Sequence, residues 1–361
     1  MATLESLEHK AASSPDAAYS TRDQDAAIEA YLDTFYVVEN GIGNFVVNNT
    51  ERTYPGELNF WKMAEEIEMV EDAFDRTQDT RYSAVAESLI RGFIKVHGAD
   101  WSWNKYNDDL MWITMACLRA HLFTGNPEFY DIGKSCFDST WLRAYDTEAG
   151  GVWWTTDNGS KNACILGPTA IAAALMYQCG GGDEYLDRAL TVFNWEKNAL
   201  YHDNGLIQDS ITPDGVCHGG ALSYNQGTFI GAAHLLNVAT KTTDFERCAV
   251  AATEYAREHC TGQNAPGVFW NEYHIGDGDN DGAGFKGIFA RWCGKWIRET
   301  GHDEFLPWLR LNAQTVVDQR NSKGLSWGIW GKPTPDGPLA AWECSGSVAL
   351  LQNIPPAKAN S

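Results

Sequence analysis

The segment "TGNPEFY" (residues 124–130) recurs in variant form along the chain. In each copy a tight polar turn is followed by an aromatic residue that enters a new helix. The other copies read "TQDTRY" at 77–82, "GGGDEY" at 180–185, "TKTTDF" at 240–245 and "TGHDEF" at 300–305. The aromatic positions lie 47, 56, 60 and 60 residues apart. A period of this size is typical of repeat architectures, in which each unit buries the face of its neighbour.

Longer loops rich in glycine and tryptophan lie between these turns, so the chain alternates helix, long loop, helix and short turn. The loops begin with "NGIGNF" at 40, "ADWSWN" at 99, "GGVWW" at 150, "NGLIQD" at 204, "PGVFWN" at 266 and "GLSWGIW" at 324. The pattern predicts twelve helices, near residues 23–38, 58–77, 80–97, 107–124, 127–142, 161–178, 183–198, 223–239, 244–260, 284–300, 302–320 and 339–352.

The predicted helices fall into two sets by composition. Odd-numbered helices are amphipathic, whereas even-numbered ones are crowded with small residues, as in "AIAAALMY" and "GTFIGAAHLL". Helices that are small or apolar all round belong in an interior. We therefore predict an all-α fold, an (α/α)6 toroid of six helical hairpins with an inner and an outer ring. An open α-solenoid is the alternative, but six units with long loops on one side favour closure.

The direction of the chain places the predicted cleft. Each inner helix begins where a long loop ends, so all inner N-termini open onto the same face. That face collects the tryptophan loops and the positive ends of the helix dipoles. We expect a binding cleft there.

Composition and charge limit the partners and cofactors that the chain is expected to bind. The 361-residue chain has a formal net charge of −21, which argues against nucleic acid, because phosphate binding requires clustered lysine and arginine. An anionic glycan is disfavoured too, so a neutral polysaccharide is the expected partner. No run of about 18 apolar residues is present, and no membrane span is predicted. None of the nine cysteines forms a CxxC pair, so neither a metal nor another cofactor is expected.

Domain organisation is predicted to be simple. Residues 1–22 lack the basic and apolar regions of a signal peptide and read as a flexible tail. Residues 23–353 form one catalytic domain, and residues 354–361 form a C-terminal tail. We expect a monomer.

The segment "NKYNDDLMW" (residues 104–112) carries the chemistry. Asp108 and Asp109 begin the second inner helix, beside the aromatic residues Trp103 and Tyr106. One interpretation is structural, with Asn107 as the N-cap and the acidic residues complementing the helix dipole. The other is catalytic, because a pair of carboxylates in a cleft is what glycoside hydrolysis requires.

Adjacency of the two aspartates favours a retaining mechanism. Neighbouring Cα atoms lie about 3.8 Å apart, and side chains diverge by about 100° along a helix. A carboxyl separation of roughly 5 Å, which retention requires, is therefore reachable, whereas a much wider gap is not. Close like charges also raise one pKa, so that one carboxyl can stay protonated as the acid.

Several ordered motifs resemble glycoside hydrolase family 76, the endo-α-1,6-mannanase family, which also includes fungal cell-wall relatives. They are "YNDD" with Trp112, "GGVWW" at 150–154, "SKNA" at 160–163, "LSYNQG" at 222–227 and "FKGIFAR" at 285–291. The resemblance implies an (α/α)6 barrel, retention, and Asp108 as nucleophile with Asp109 as acid/base. It alone implies the α-1,6-mannan substrate. It also suggests a secreted or cell-surface location, although no signal peptide is visible.

Further candidates for substrate binding lie near the inner helix N-termini. The polar ones are Tyr106, Asn107, Asn162, Tyr224, Asn225, Gln226 and Lys286, which can hydrogen-bond sugar hydroxyls. Helix capping by Ser160 or Ser223, or a structural pairing for Lys286, is the alternative. The aromatic ones are Trp103, Trp153, Trp154, Trp270 and Trp330, which can stack on sugar rings or pack their loops onto the barrel rim.

The acidic loop "GDGDNDGAG" (residues 276–284) resembles the start of an EF-hand calcium loop. Position 288, where that loop needs a glutamate, is isoleucine. A solvated turn or polar contact with substrate is therefore favoured over calcium binding.

The sequence thus predicts an endo-acting, retaining α-1,6-mannanase. A transglycosylase that uses the same two aspartates is one alternative. A non-catalytic glycan-binding barrel is another, but the intact aspartate pair speaks against it.

Overall fold

The computed structural model describes residues 19–56, 59–272 and 280–358. In these residues the chain forms twelve α-helices, numbered α1 to α12 in chain order. Their bounds are Thr21–Phe35, Phe60–Thr77, Thr80–His97, Asn107–Thr124, Pro127–Ala144, Ala163–Gln178, Asp183–Ala199, Ser223–Thr240, Glu246–His259, Phe285–Thr300, Leu306–Asp318 and Ala341–Asn353.

The even-numbered helices form a closed inner ring. Each contacts the next even-numbered helix, and α12 contacts α2, which closes the circle. The odd-numbered helices lie outside and are buried on one face only, whereas α4, α6 and α8 are buried on nearly every side. The predicted (α/α)6 toroid is confirmed, and the open solenoid is wrong.

Small residues let the inner helices approach closely. A Cβ on Gly227 of α8 would lie 2.5 Å from the Cα of Phe289 on α10, and one on Gly287 of α10 would lie 2.5 Å from the Cα of Gly346 on α12. Because real side chains do not tolerate such distances, these positions require glycine. The small-residue composition that marked the inner set is therefore a packing requirement.

The short turns end the inner helices as their sequence indicates. Gln78, Gly125, Lys241 and Gly301 are left-handed C-caps of α2, α4, α8 and α10. The aromatic residues that follow are buried or nearly so, and they pack between neighbouring helices. The recurrent turn thus both reverses the chain and anchors the next outer helix.

Two small sheets interrupt the predicted helical pattern. The predicted helix 23–38 ends at Phe35, because Tyr36–Glu39 (β1) pairs with Ile42–Phe45 (β2) across an Asn40-Gly41 turn with positive φ at both residues. Such a turn is the strongest short-range hairpin signal. The predicted helix 161–178 likewise begins later, because its first two residues are a strand. This strand, β3 (Lys161–Asn162), pairs with β4 (Ser210–Ile211), which pairs with β5 (Cys217–His218).

The remaining helix bounds differ from prediction by a few residues. The largest difference is at 302–320, where a short 3-10 helix (Asp303–Phe305) precedes α11. The domain limits at 22 and 354 stay a prediction, since residues 1–18 lie outside the described part of the chain. Among the described helices, none is both long and apolar enough to cross a membrane.

Candidate active site

A cavity of about 590 Å³ opens at the face where the inner helices begin. Its walls come from the first turns of α4, α6, α8 and α10 and from the loops before them. The lining residues are Trp61, Trp103, Asn104, Lys105, Tyr106, Asp108, Asp109, Trp112, Trp154, Asn162, Cys164, Asp209, Leu222, Tyr224, Asp281 and Phe285. The predicted location of the cleft is confirmed.

A larger cavity of about 970 Å³ lies elsewhere, between the outer helices α3 and α5. It is lined by carboxylates that are separate in sequence and largely exposed, such as Asp100 and Asp131. The smaller cavity holds the adjacent aspartates and the aromatic walls, so it is the candidate active site.

The first turn of α4 is held by Asn107. This residue is buried, donates from its Nδ2 to the carbonyl of Trp153 (2.8 Å) and accepts from the Nε of Arg143 (2.7 Å). The N-cap position belongs to Tyr106, not to Asn107 as the structural interpretation required. Asn107 therefore fixes the loop at 153 against the start of α4, and both aspartates are carried by that rigid turn.

The surroundings of Asp109 favour the protonated form of its carboxyl. Burial raises the pKa of its carboxyl well above the ordinary value, and the neighbouring charge of Asp108 raises it further. Its Oδ2 accepts a hydrogen bond of 2.7 Å from the Nδ2 of Asn104. Asp109 is thus suited to donate a proton at neutral pH.

Asp108 ionises more readily than its neighbour. Burial raises its pKa to about 7, while the thiol of Cys164, the indole of Trp154 and backbone N–H groups act in the opposite direction. The Oδ1 of Asp108 and the Nε1 of Trp154 are both buried, and the Trp154 indole favours the ionised form of Asp108.

A third carboxylate faces the cavity from the loop before β4. Asp209 accepts a hydrogen bond of 3.1 Å from the Nδ2 of Asn225, and burial raises its pKa. Sequence analysis missed it, although it ends the "NGLIQD" loop, which was already assigned to the cleft face. Asn225 itself is fully buried, so it positions Asp209 and does not line the cavity.

Aromatic side chains form much of the wall. The rings of Tyr224 and Phe285 stack with centroids 4.0 Å apart, and Tyr106 lies 5.5 Å from Trp154. Trp103 is 46% exposed beside the aspartates, which leaves its surface accessible to a ligand. The contributions of Trp61, Trp112 and Phe285 were not predicted, because they lie within helices and resemble core residues.

The structure separates the predicted binding residues into two groups. Trp103, Tyr106, Trp154, Asn162 and Tyr224 line the cavity together with the aspartate pair. Asn107, Trp153, Asn225, Gln226, Trp270, Lys286 and Trp330 do not.

Five of the second group (Asn107, Asn225, Gln226, Lys286 and Trp330) are so buried that the expected sugar contact in this cavity must be corrected. Gln226 donates to the carbonyls of Gly205 and Ala252 and accepts from Ile207, which uses its whole amide. Lys286 and Trp330 lie beneath the surface, with the Lys286 ammonium 5.3 Å from the Trp330 ring centroid. Like Asn107, they support the site from behind.

Two tryptophans of the second group are partly exposed outside the cavity. The ring of Trp153 lies 4.2 Å from the ammonium of Lys161, which pairs with Asp146. The backbone carbonyl of Trp270 accepts a hydrogen bond of 3.3 Å from the Nζ of Lys286. Sugar contact by Trp153 or Trp270 stays a prediction.

The acidic loop lies only partly within the described residues. Asp277 and Asp279 fall outside them, whereas Asp281 forms an ion pair with Lys62. Within residues 19–56, 59–272 and 280–358, no group of three or more His, Cys, Asp or Glu side chains is arranged to hold a metal ion.

The sequence-family model of glycosyl hydrolase family 76 matches residues 20–343 of the chain. The chain belongs to glycosyl hydrolase family 76. The predicted family is therefore confirmed, and the protein is a glycoside hydrolase of helical toroid fold. No curated protein sequence matches the chain.

Solved structures of similar shape include the α-1,6-mannanase GH76A from Salegentibacter sp. HEL1_6. It is 28% identical, with a TM-score of 0.81 over 92% of this chain and 98% of that chain. An inactive variant of that mannanase, with two consecutive aspartates replaced, was solved in complex with α-1,6-mannotetrose (27% identity, TM-score 0.81, 92% and 97% coverage). Dfg5 from Chaetomium thermophilum, in complex with glucosamine, shares the fold at 16% identity (TM-score 0.75, 94% and 93% coverage).

Proposed function

We propose that this family 76 glycoside hydrolase is an endo-acting α-1,6-mannanase that works with retention of configuration. The observation that carries the proposal is the pair Asp108 and Asp109 in the first turn of α4. Both line the 590 Å³ cavity beside the aromatic rings of Trp103, Tyr106 and Trp154.

In the first step, Asp108 attacks the anomeric carbon of a mannose unit and Asp109 protonates the departing glycosidic oxygen. The bond from the anomeric carbon to that oxygen breaks, and an ester to Asp108 forms. Charge is balanced, because the carboxylate of Asp108 supplies the electron pair and the proton of Asp109 neutralises the leaving group. Two close carboxyls in these two states are what a retaining enzyme requires.

In the second step, Asp109 has become a carboxylate and takes a proton from a water molecule. The water oxygen attacks the anomeric carbon, and Asp108 leaves as a carboxylate. Each step inverts the anomeric centre, so the product has the configuration of the substrate.

The environments of the two aspartates support this division of roles. N–H and S–H donors favour the ionised form of Asp108. Burial and the charge of Asp108 favour the protonated form of Asp109. The more acidic group serves as nucleophile and the less acidic one as proton donor.

Sugar binding is proposed for residues that line the cavity with unused surface or hydrogen-bonding capacity. Trp103 offers an exposed ring face, and Tyr106 and Trp154 line the cavity beside it. The carboxylate of Asp209 can accept hydrogen bonds from sugar hydroxyls. Apolar ring faces with a few polar groups are what a neutral sugar requires.

Similarity supports the proposed linkage. The Salegentibacter protein is described as an α-1,6-mannanase, and its inactive variant holds an α-1,6-linked mannotetrose. At 28% identity these properties support the same substrate for this chain, which its own charge of −21 also favours over anionic glycans.

The test is incubation with unbranched α-1,6-mannan and sizing of the products over time. Endo action predicts oligosaccharides of intermediate length early in the reaction. Mannose as the sole early product would mean exo action, and no products would overturn the proposal. Products longer than the substrate would mean that the intermediate is transferred to another sugar in place of water.

A further inference from the structure

The carboxyl of Asp109 receives a hydrogen bond from a donor whose direction is fixed. The Nδ2 of Asn104 lies 2.7 Å from the Oδ2 of Asp109. The Oδ1 of the same amide accepts a hydrogen bond of 2.9 Å from the backbone N–H of Tyr106. The nitrogen and oxygen of an amide can be exchanged by a half turn, but a backbone N–H can only donate. The oxygen of Asn104 therefore faces Tyr106, and its NH2 group faces Asp109.

The contact between Asn104 and Tyr106 is an Asx turn, which by itself does not require asparagine. Aspartate and serine close such turns as well. An aspartate would place a further carboxyl against Asp109, and the hydroxyl of a serine would lie too close to its own backbone to reach it. Asn104 is 4% exposed, and a buried N–H group requires an acceptor. The contact with Asp109 is therefore what explains an amide at this position.

Arg143 on the outer helix α5 holds the donor and the helix of Asp109 in one alignment. Its Nη2 donates to the carbonyl of Asn104 at 2.8 Å, and its Nε donates to the Oδ1 of Asn107 at 2.7 Å. Asn104 belongs to the loop, whereas Asn107 is the first residue of α4. Because a guanidinium group is planar and rigid, it fixes the loop that carries the donor relative to the helix that carries the acid.

This arrangement makes the two oxygens of Asp109 different. A protonated carboxyl has one O–H donor, and its other oxygen remains an acceptor. Since the Oδ2 of Asp109 accepts from Asn104, the proton belongs on Oδ1. Asp109 lines the cavity, which is where this O–H can meet the oxygen of a glycosidic bond.

We propose that Asn104, aligned by Arg143, is a positioning residue that directs the catalytic proton of Asp109 to Oδ1. The inference rests on the proposed role of Asp109 as acid/base. In the first step Asn104 keeps Oδ2 as the acceptor, so Oδ1 gives its proton to the departing oxygen. In the second step the same N–H stabilises the carboxylate that takes a proton from water. One contact thereby serves both protonation states of Asp109.

The test is Asn104→Ser, which can still close the turn with Tyr106 but cannot reach Asp109. The kcat on α-1,6-mannan should fall by roughly 10- to 10²-fold, as expected for a lost hydrogen bond to a charged group, with little change in KM. The first turnover of an aryl mannoside with an acidic phenol needs no proton donor, so its rate should stay close to that of the wild type. A kcat on mannan close to the wild-type value, or equal losses on both substrates, would overturn the proposal.

A matched control is Asn321→Ser in the loop after α11. The Oδ1 of Asn321 accepts from the backbone N–H of Lys323 at 3.0 Å, and its Nδ2 donates to the carbonyl of Pro335 at 3.0 Å. This amide closes the same kind of turn as Asn104, but its donor faces a backbone carbonyl. The ratio of the mannan rate to the aryl mannoside rate should match that of the wild type. A change in this ratio as large as in Asn104→Ser would contradict the proposal.

The contribution of Arg143 is tested by Arg143→Lys. An ammonium group lacks the planar fork that holds both acceptors, so proton donation by Asp109 should become less efficient. The loss on mannan should again exceed the loss on the aryl mannoside, and it should be smaller than in Asn104→Ser. Equal losses on the two substrates, or no loss on either, would show that Arg143 does not align Asn104.

A second readout does not depend on activity. The C=O stretch of protonated Asp109 is recorded by infrared spectroscopy at neutral pH and assigned by its absence in Asp109→Asn. In Asn104→Ser the band should move to higher frequency, because its carbonyl oxygen loses a hydrogen bond. An unchanged band, or no such band in the wild type, would contradict the proposal. If the wild type does not cleave mannan, the proposed function fails, while the band still decides whether Asn104 binds the carbonyl oxygen of the acid.

Discussion

Two sets of buried carboxylates lie on neighbouring inner helices, and arginine neutralises only one of them. On α2, Glu65, Glu68, Glu71 and Asp72 are at most 2% exposed. On α4, Asp108 and Asp109 face the cavity. Both sets are carboxylates, and their partners differ.

The α2 set is tied to two arginines from other inner helices. Arg119 on α4 lies 2.8 Å from both Glu68 and Asp72, and Arg291 on α10 lies 2.8 Å from Asp72 and also pairs with Glu65. Burial alone raises the pKa of Asp72, but the two arginines bring it below its ordinary value. These contacts join three helices of the ring.

The α4 pair has no such partner among the described residues. Lys62, a cation that acts on Asp109, is itself paired with Asp281. Burial therefore dominates, and the pKa values of Asp108 and Asp109 are raised. Arginine holds Asp72 ionised as part of the structure, whereas burial raises the pKa of Glu65 to about 8 and also raises that of Glu71. At the cavity, the raised pKa values of Asp108 and Asp109 allow proton exchange with a substrate.

The largest expected effect is on activity, in Asp108→Asn. Because the amide cannot form the glycosyl ester, kcat/KM on α-1,6-mannan should fall by roughly 10³-fold or more. The melting temperature should stay near that of the wild type, since no charge partner is removed. Turnover close to the wild-type value would show that Asp108 is not the nucleophile.

The loss of activity in Asp109→Asn should depend on the leaving group of the substrate. Hydrolysis of mannan should fall by about 10² to 10⁴-fold, because the departing sugar needs a proton. An aryl mannoside with an acidic phenol leaves without that help, so formation of the intermediate from it should be affected far less. Equal losses on both substrates, measured as the first turnover, would argue against Asp109 as the acid.

Asp72→Asn is the counterpart on α2 and should act on stability. It removes a carboxylate shared by two buried arginines, and breaking such a pair costs about 3 to 5 kcal/mol. Asp72 lies ten residues beyond Lys62 along α2, roughly 15 Å from the cavity edge, so the folded fraction should keep its kcat. Denaturant unfolding and active-site-normalised rates measure the two effects. A loss of kcat without loss of stability would contradict the structural role assigned to the α2 set.

Glu71→Gln should have the smallest effect, a change in the free energy of unfolding whose sign depends on pH. Burial raises the pKa of Glu71, nearby Glu68, Asp75 and Asp72 raise it further, and Arg119 opposes them. The folded state thus holds a proton that the unfolded state loses above about pH 4.5, so the wild type loses stability as pH rises from there through the raised pKa.

The glutamine variant does not titrate, and its stability relative to the wild type should increase with pH, by about 1 kcal/mol or more at pH 8. Unfolding free energies measured at pH 5 and pH 8 give this difference. A constant difference across that range would mean that Glu71 is already ionised in the folded protein.

The fold was predictable because its signals are local. Each short turn combines a helix stop with an aromatic anchor, and close approach of the inner helices demands small residues such as Gly227. The aspartate pair was also visible, because adjacency and a helix start place both side chains at one end of α4. The hairpin of β1 and β2 was missed, although Asn40-Gly41 is its signal.

Much of the site could not be predicted because burial depends on the whole fold. Gln226 follows a tyrosine and an asparagine in a sugar-binding pattern, yet three backbone groups use its amide. Conversely, Asp209 lies in a polar loop, where a carboxylate gives no local sign of facing a cavity. Such residues come together only when the ring closes.

The most direct test of the central claim, two-step catalysis by neighbouring aspartates, is NMR observation of the anomer that forms first from α-1,6-manno-oligosaccharide. The account predicts that α-anomer signals appear first and that the β-anomer grows in later through mutarotation. Initial appearance of the β-anomer would contradict it, because single-step inversion would then replace the covalent intermediate on Asp108.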